Sequence, residues 1–189
     1  MKLFLPIIAY GGQVHTEFMV SMMSLMNSLV KNKMTATFHP IMSESLISRG
    51  RNAAAAFFLK SDCDYMLFVD TDMSFTVKDF NELAKLKKPL TIGAYSKKYI
   101  RQSKLEAYTK LKNNKLEPDW KDYVGDFSTE VPYKYWSGVS EAPEHITVDY
   151  GATGFMLIHR SVFETIIEKR PDLKYTNDID FYAAAALRP

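Results

Sequence analysis

Five apolar residues in a row, Tyr65-Met66-Leu67-Phe68-Val69, stop abruptly at Asp70-Thr71-Asp72 within the stretch from Asp62 to Phe75. An unbroken run of this length reads as a strand buried on both faces, which demands covering layers on either side of a sheet. Open α/β sheets gather their ligands at the carboxyl ends of such strands. In an extended segment Asp70 and Asp72 point to the same side. One divalent cation would then bridge them, or one acid would hold the metal and the other a substrate hydroxyl. A polar loop after a core strand is the plainer account, but paired acids repel unless something compensates them.

A chain of 189 residues suffices for one domain with a real core, and 47% hydrophobic and 24% charged residues are ordinary globular values. A formal charge of +2 argues against nucleic-acid binding by bulk electrostatics. The charge is uneven: from Lys85 to Lys115 there are ten basic residues and one acid, Glu106. That segment reads as a solvated surface or as a phosphate-facing flap. Cys63 is the sole cysteine, which excludes a disulfide framework and a cysteine-based zinc site. No run approaches membrane-spanning length. Met1 to Ala9 lacks a convincing cleavage site and reads as a first strand rather than a signal peptide. The expectation is a soluble protein of a reducing compartment, the cytoplasm.

Strand and helix alternate over the first hundred residues. Leu3 to Ala9 is expected as a strand at an edge or kinked, because of Pro6. Tyr10-Gly11-Gly12 is expected as a turn that lets backbone approach a ligand. A helix over roughly 15–31 carries a wide apolar stripe whose methionines read as core filling. Met34, Ala36 and Phe38 alternate as a second strand ended by Pro40. Ser43 is placed to cap a second helix running to about Lys60. Arg49, Arg51 and Asn52 on that helix call for a partner, which a nucleotide, Asp70 and Asp72, or a surface salt bridge would supply. Thr76 with Asp79 resembles a capping box and starts a helix to about Leu86. Leu90 to Tyr95 reads as a strand, after which Lys97 and Lys98 are placed to reach a diphosphate. Residues 101–139 are irregular, with a small β-ribbon as one reading. His145 to Asp149 and Phe155 to Ile158 read as strands, and Ser161 with Glu164 as the cap of a helix to about Lys169. The fold class is α/β, a mainly parallel mixed sheet flanked by helices.

Four stretches together carry a resemblance. Val69-Asp70-Thr71-Asp72 resembles the Asp-x-Asp motif of the GT-A-fold glycosyltransferases. Ser48-Arg49-Gly50-Arg51-Asn52-Ala53 is similar to the Arg-Asn element on the helix before that motif. Ile92-Gly93-Ala94-Tyr95-Ser96-Lys97-Lys98 resembles the Gly-x-Tyr-x-x-Lys segment that follows it. Gly151-Ala152-Thr153-Gly154-Phe155-Met156-Leu157-Ile158-His159-Arg160 is similar to the acceptor-side segment of that family. Order and spacing are closest to virus-encoded members of the chlorovirus type and to bacterial ones, over roughly residues 3–182. Such a resemblance implies one GT-A-like, Rossmann-like domain, with residues 1–100 as a nucleotide-binding half and 101–189 as an acceptor-side half. It implies Mn2+- or Mg2+-assisted transfer of a hexosyl or deoxyhexosyl group from a UDP-sugar donor to a glycan or glycoprotein acceptor, by inversion.

By the same resemblance Asp72 is the principal metal ligand, while Asp70 shares the metal or touches the ribose beside Thr71. Pro6, Ile7, Ala9 and Tyr10 line the base pocket. Arg51 and Asn52, with Arg49, hold the nucleotide, and Lys97 or Lys98 reaches the diphosphate. Tyr150, Gly151 and Gly154 lie on the acceptor side. An inverting reaction needs a carboxylate to take the acceptor proton. Asp149 is one candidate, and its plainer role is a turn carboxylate. Similar enzymes carry a Glu-Asp-x-x-Phe-like motif beyond the region of Asp178; here Asp178 or Asp180 takes that role, or the chain is a fragment without it.

Two other classes compete. Asp70-Thr71-Asp72-Met73-Ser74 also resembles the nucleophile motif of haloacid-dehalogenase-type phosphatases, with Asp70 as nucleophile, though that motif usually follows the first strand and here follows the third. A domain that binds a nucleotide sugar without turning it over is the other alternative.

Overall fold

A computed structural model of the chain describes residues 1–100, 102–112, 125–129 and 144–175. The chain divides into two compact units, one formed by Met1–Gly93 with the described residues from Thr153 onward, the other by Ala94–Ala152.

The first unit is built on a five-stranded sheet in the order β2-β1-β3-β7-β4, from β1 (Lys2–Ala9), β2 (Thr35–Met42), β3 (Tyr65–Val69), β4 (Leu90–Ile92) and β7 (Phe155–His159). β1 pairs in parallel with β2 and β3, whereas β7 runs antiparallel between β3 and β4. The expected α/β class with a mixed, mainly parallel sheet is therefore what the chain forms. Tyr65 to Val69 forms β3, and Met66, Leu67, Phe68 and Val69 are all buried.

Strand alternation sorts the core into two layers. Phe4, Met66, Phe68, Met156 and Ile158 pack with Ala53, Ala54 and Phe58 of α2 (Ile47–Lys60), joined by Val162 and Phe163 of α5 (Arg160–Lys169). On the other face Leu3, Leu5, Leu67 and Leu157 are buried, as are Phe18, Leu25 and Leu29 of α1 (Thr16–Lys31) and Phe80 of α3 (Val77–Lys85). The alanines of α2 let that helix lie close to the sheet, and Ser21 of α1 accepts the Phe75 N–H on the approach to α3. Thr76 and Asp79 close the expected capping box, with the Thr76 N–H donating to Asp79 at 2.7 Å.

Several local expectations are corrected. β1 is an interior strand and its ladder to β2 continues through Pro6, from Lys2–Thr35 to Ala9–Met42. Its pairing to β3, by contrast, covers Leu3–Tyr65 and Phe4–Met66. Pro6 lacks the N–H that would carry a ladder onward. β2 is an edge strand and passes through Pro40 to Met42, since a proline costs little where its nitrogen faces away from a partner. Ser43 does not cap α2; it takes a left-handed backbone conformation, φ 60°, and the helix starts at Ile47. The cap of α5 is His159, whose ring accepts from the Ser161 N–H. His145 to Asp149 forms no strand. The strand expected to Tyr95 ends at Ile92.

The second unit holds β5 (Ser96–Ile100) and β6 (Gly125–Phe127), an antiparallel ribbon of which β6 alone falls in the region 101–139 where a ribbon was expected, and α4 (Gln102–Leu111). Among the described residues no helix is long and apolar enough to cross a membrane.

Candidate functional site

In a parallel sheet the strands' carboxyl ends collect on one side. α1 links β1 to β2 over one face, whereas α2 carries the chain back across β1 to β3 over the other. The order therefore reverses between β1 and β3, the position at which open α/β sheets bind ligands. The β1–β3 ladder stops at Phe4 and Met66, short of the carboxyl ends of both strands.

Asp70 stands directly after Val69 at the carboxyl end of β3 and is fixed on three sides. Its N–H donates to the Gly154 carbonyl at 2.9 Å, and its own carbonyl accepts from the Met73 N–H at 3.0 Å. Its Oδ1 accepts from Arg51 Nη2 at 2.7 Å. Asp70 continues the alternation of Met66 and Phe68 toward the α2 side, and Arg51 reaches it from α2, with its guanidinium 6.0 Å from the Phe68 ring centroid. The compensation that two acids at a strand end require is thus supplied to Asp70 by Arg51. The chain turns from Asp70 to Met73, so the extended geometry expected to place Asp70 and Asp72 on one side ends at Val69. The Thr71 carbonyl accepts the His15 N–H at 2.9 Å, which ties the motif to the loop after β1.

That loop is a short 3-10 turn, Tyr10–Gly12, with Tyr10 well exposed. Gly11 and Gly12 both have positive φ, 67° and 71°, a conformation that side chains disfavour. Pro6 and Ala9 are buried, and Ile7 is half-buried.

The arginine pair divides. Arg49 reaches Glu44 rather than Asp70, donating through Nε at 2.6 Å and Nη2 at 3.0 Å in a two-pronged ion pair. The Glu44 side chain is fully buried and also accepts the Leu46 N–H at 2.7 Å, just ahead of α2, whose first turn has no side-chain cap. Glu44 was not singled out in the sequence; its signal there is an acid just ahead of the helix that carries two arginines. Gly50 allows this packing, because a Cβ there would lie 3.0 Å from Ile8 Cγ2 and 3.1 Å from Glu44 Cγ.

The Arg49 hydrogen bond holds the Glu44 carboxyl below its ordinary value of 4.5. A carboxylate with a depressed native pKa stabilises the fold above the unfolded value and loses that contribution as pH falls through the native one. Glu44→Gln should cost about 2 kcal/mol at pH 7. The gap in melting temperature between wild type and variant should narrow on acidification below 4.5. A gap that stays constant with pH would show that the ion pair is not its source.

Asn52 is turned away from Arg51. It lines a cavity of about 650 Å³ between α2 and α5, together with Ala55, Leu59, Phe163, Ile166 and Tyr175. Arg160 is the last residue of the segment that resembles the family's acceptor side. It points to the far end of α2 and donates to the carbonyls of Phe58, Leu59, Ser61 and Cys63 at 2.7–3.2 Å.

Lys97, Lys98, Asp149, Tyr150 and Gly151 belong to the second unit. Lys97 and Lys98 lie on β5, with Lys97 exposed. Asp149 and Tyr150 are exposed; the Tyr150 carbonyl accepts from Thr129 Oγ1, and Gly151 bridges to Thr129. Asp178 and Asp180 lie outside the described residues.

The donor set at the strand tip consists of the half-exposed Asp70 carboxylate and the exposed Asp72 carboxylate. Hard oxygen donors of this kind suit Mg2+ or Mn2+ and not a soft metal. No protein-family model matches the chain, and no curated protein matches it.

Proposed function

We propose that the chain is a metal-dependent glycosyltransferase that moves a sugar from a UDP-sugar to a hydroxyl of a glycan or glycoprotein, with inversion. The observation that carries this reading is Asp70, held by Arg51 and Gly154 at the tip of β3, where the strand order reverses and the β1–β3 ladder stops. Asp72 and Asp70 would hold the cation. When bound, Mn2+ or Mg2+ would neutralise charge on the departing diphosphate. Pro6, Ile7, Ala9 and Tyr10, at the end of β1 and the turn after it, would receive the base and ribose. Arg51, already beside Asp70, would exchange part of that ion pair for a phosphate oxygen. The proposal draws on residues of the first unit alone.

The test is calorimetric titration of UDP with and without Mn2+, alongside turnover of UDP-sugars. Metal-dependent binding and release of UDP are expected. Arg51→Ala should weaken UDP binding about tenfold, a loss of roughly 1.4 kcal/mol. The Arg51–Asp70 pair is partly open to solvent, with side chains 26% and 43% exposed, so its removal should change stability by no more than about 1 kcal/mol. A large drop in melting temperature with unchanged UDP affinity would instead make Arg51 a purely structural partner of Asp70. A phosphorylated Asp70 trapped from a phosphate ester would replace the proposal by the phosphatase reading. UDP binding with no sugar released or transferred would reduce it to a binding domain.

A further inference from the structure

α2 buries Ala53, Ala54 and Phe58 against the sheet and turns a second face toward open space. Asn52, Ala55, Ala56, Leu59 and Lys60 recur at helical spacing and form one wall of the cavity of about 650 Å³. Phe163, Ile166 and Ile167 of α5 form another wall. Leu173, Lys174 and Tyr175, reached through the 3-10 turn Pro171–Leu173, complete the lining. All of these residues belong to the first unit. Packed helices ordinarily interlock without a gap of this size, since protein interiors are as dense as organic crystals. Here alanines stand at 55 and 56, where longer side chains would take up the space. The Phe163 ring meets the Phe58 ring edge-on at 5.7 Å, which fixes that wall to the core. Ile166 and Leu173 are 43% and 55% exposed, so the cavity opens to solvent past apolar side chains.

The charge of the lining has one sign. Lys60 and Lys174 are cations, and no carboxylate lines the cavity among the described residues. Neither lysine has an ion-pair partner among those residues. The acids nearest to them in the chain are taken, Asp62 by Lys2 and Asp172 by Arg170. Pockets of this volume, apolar with a few polar groups, are the usual form of a small-molecule site. We infer that the cavity binds an anionic amphiphile, a free aliphatic chain of about ten carbons ending in a carboxylate. The α2 wall from Asn52 to Lys60 is about 12 Å long, which an extended chain of roughly ten carbons spans. Ala55, Leu59, Phe163 and Ile167 take the chain, and Lys60 and Lys174 supply the charge for its head. A sugar nucleotide is a poor match, since its hydroxyls and phosphates need more hydrogen-bond partners than these walls offer. The site is separate from the strand tip: Arg51 turns to Asp70, whereas its neighbour Asn52 lines the cavity.

Calorimetric titration of the intact protein with decanoate at neutral pH should show one saturable site, with a dissociation constant on the order of 10–100 μM. Octanoate should bind roughly tenfold more weakly, because two methylenes fewer are buried. Decanol, without the charge, should also bind about tenfold more weakly. With Lys60→Met and Lys174→Met combined, decanoate affinity should fall to that of decanol, while decanol affinity stays as it was. Ala55→Leu, which fills the cavity from a half-buried helix position, should weaken decanoate at least about tenfold without lowering the melting temperature. Should Ala55→Leu fail to fold, the lysine pair and the chain-length series decide. No saturable binding, equal affinity for octanoate and decanoate, decanol binding as tightly as decanoate, or decanoate binding that survives Ala55→Leu would each overturn the inference. Co-flotation with anionic vesicles that Ala55→Leu abolishes would overturn it in favour of a membrane lipid.

Discussion

Replacing Asp72 by Ala is expected to lower Mn2+-dependent UDP affinity by at least about 100-fold, roughly 2.7 kcal/mol. Asp72 is exposed and sits in the turn after β3, outside the buried core, so the melting temperature should barely move. That separation of effects follows from the arrangement at the strand tip. Asp70 shares its charge with Arg51, whereas a divalent ion at this site needs carboxylate oxygens beyond that one. UDP binding in the absence of metal should be weak in wild type and variant alike. Metal-dependent affinity that survives in Asp72→Ala would remove the metal site, and with it the strongest support for nucleotide-diphosphate chemistry.

Arg160→Met is expected to destabilise the protein by about 3 kcal/mol, which for a chain of this size lowers the melting temperature by roughly 10 °C. The guanidinium closes the carboxyl end of α2, donating to Phe58, Leu59, Ser61 and Cys63 carbonyls and stacking 4.7 Å over the Phe58 ring. The Arg160 N–H also donates to the Asp64 carbonyl, so the start of α5 is fastened to the loop that leads into β3. Removing the side chain leaves several carbonyls at a helix end without their donor, and the helix dipole without its cation. Lysine would restore charge but not the planar fork, so Arg160→Lys should recover only part of the loss. UDP affinity should be unaffected at temperatures where the variant stays folded. A loss of affinity in the folded variant would instead give Arg160 a part in binding.

The two sites lie at opposite ends of α2. Its first turns bring Gly50 against Ile8 and Glu44 and bring Arg51 to Asp70, while its last turn ends on Arg160. Arg49, Arg51 and Asn52 are almost adjacent in sequence, yet a helix turns about 100° per residue. They consequently meet three different surroundings: Glu44, Asp70 and the α2–α5 cavity.

The amino-acid sequence by itself determined the α/β class, because strand and helix patterns alternate over the first hundred residues and a five-residue apolar run bounded by acids suits a strand covered on both faces. It also determined the capping box of α3 and the end of β3 at Asp70, since these depend on residues within a few positions of one another. Tertiary structure decided what depends on distant partners. Pro6 read as an edge residue, yet β1 lies inside the sheet, its proline coinciding with the gap in the ladder to β3. The methionines of α1 read as core, yet half of that helix faces outward, because periodicity reports how apolar a face is and not what covers it. Arg49 and Arg51 carry the same side chain and the same local signal. Only the buried Glu44 beneath one and the strand-tip Asp70 beside the other separate a structural ion pair from a candidate ligand-binding cation.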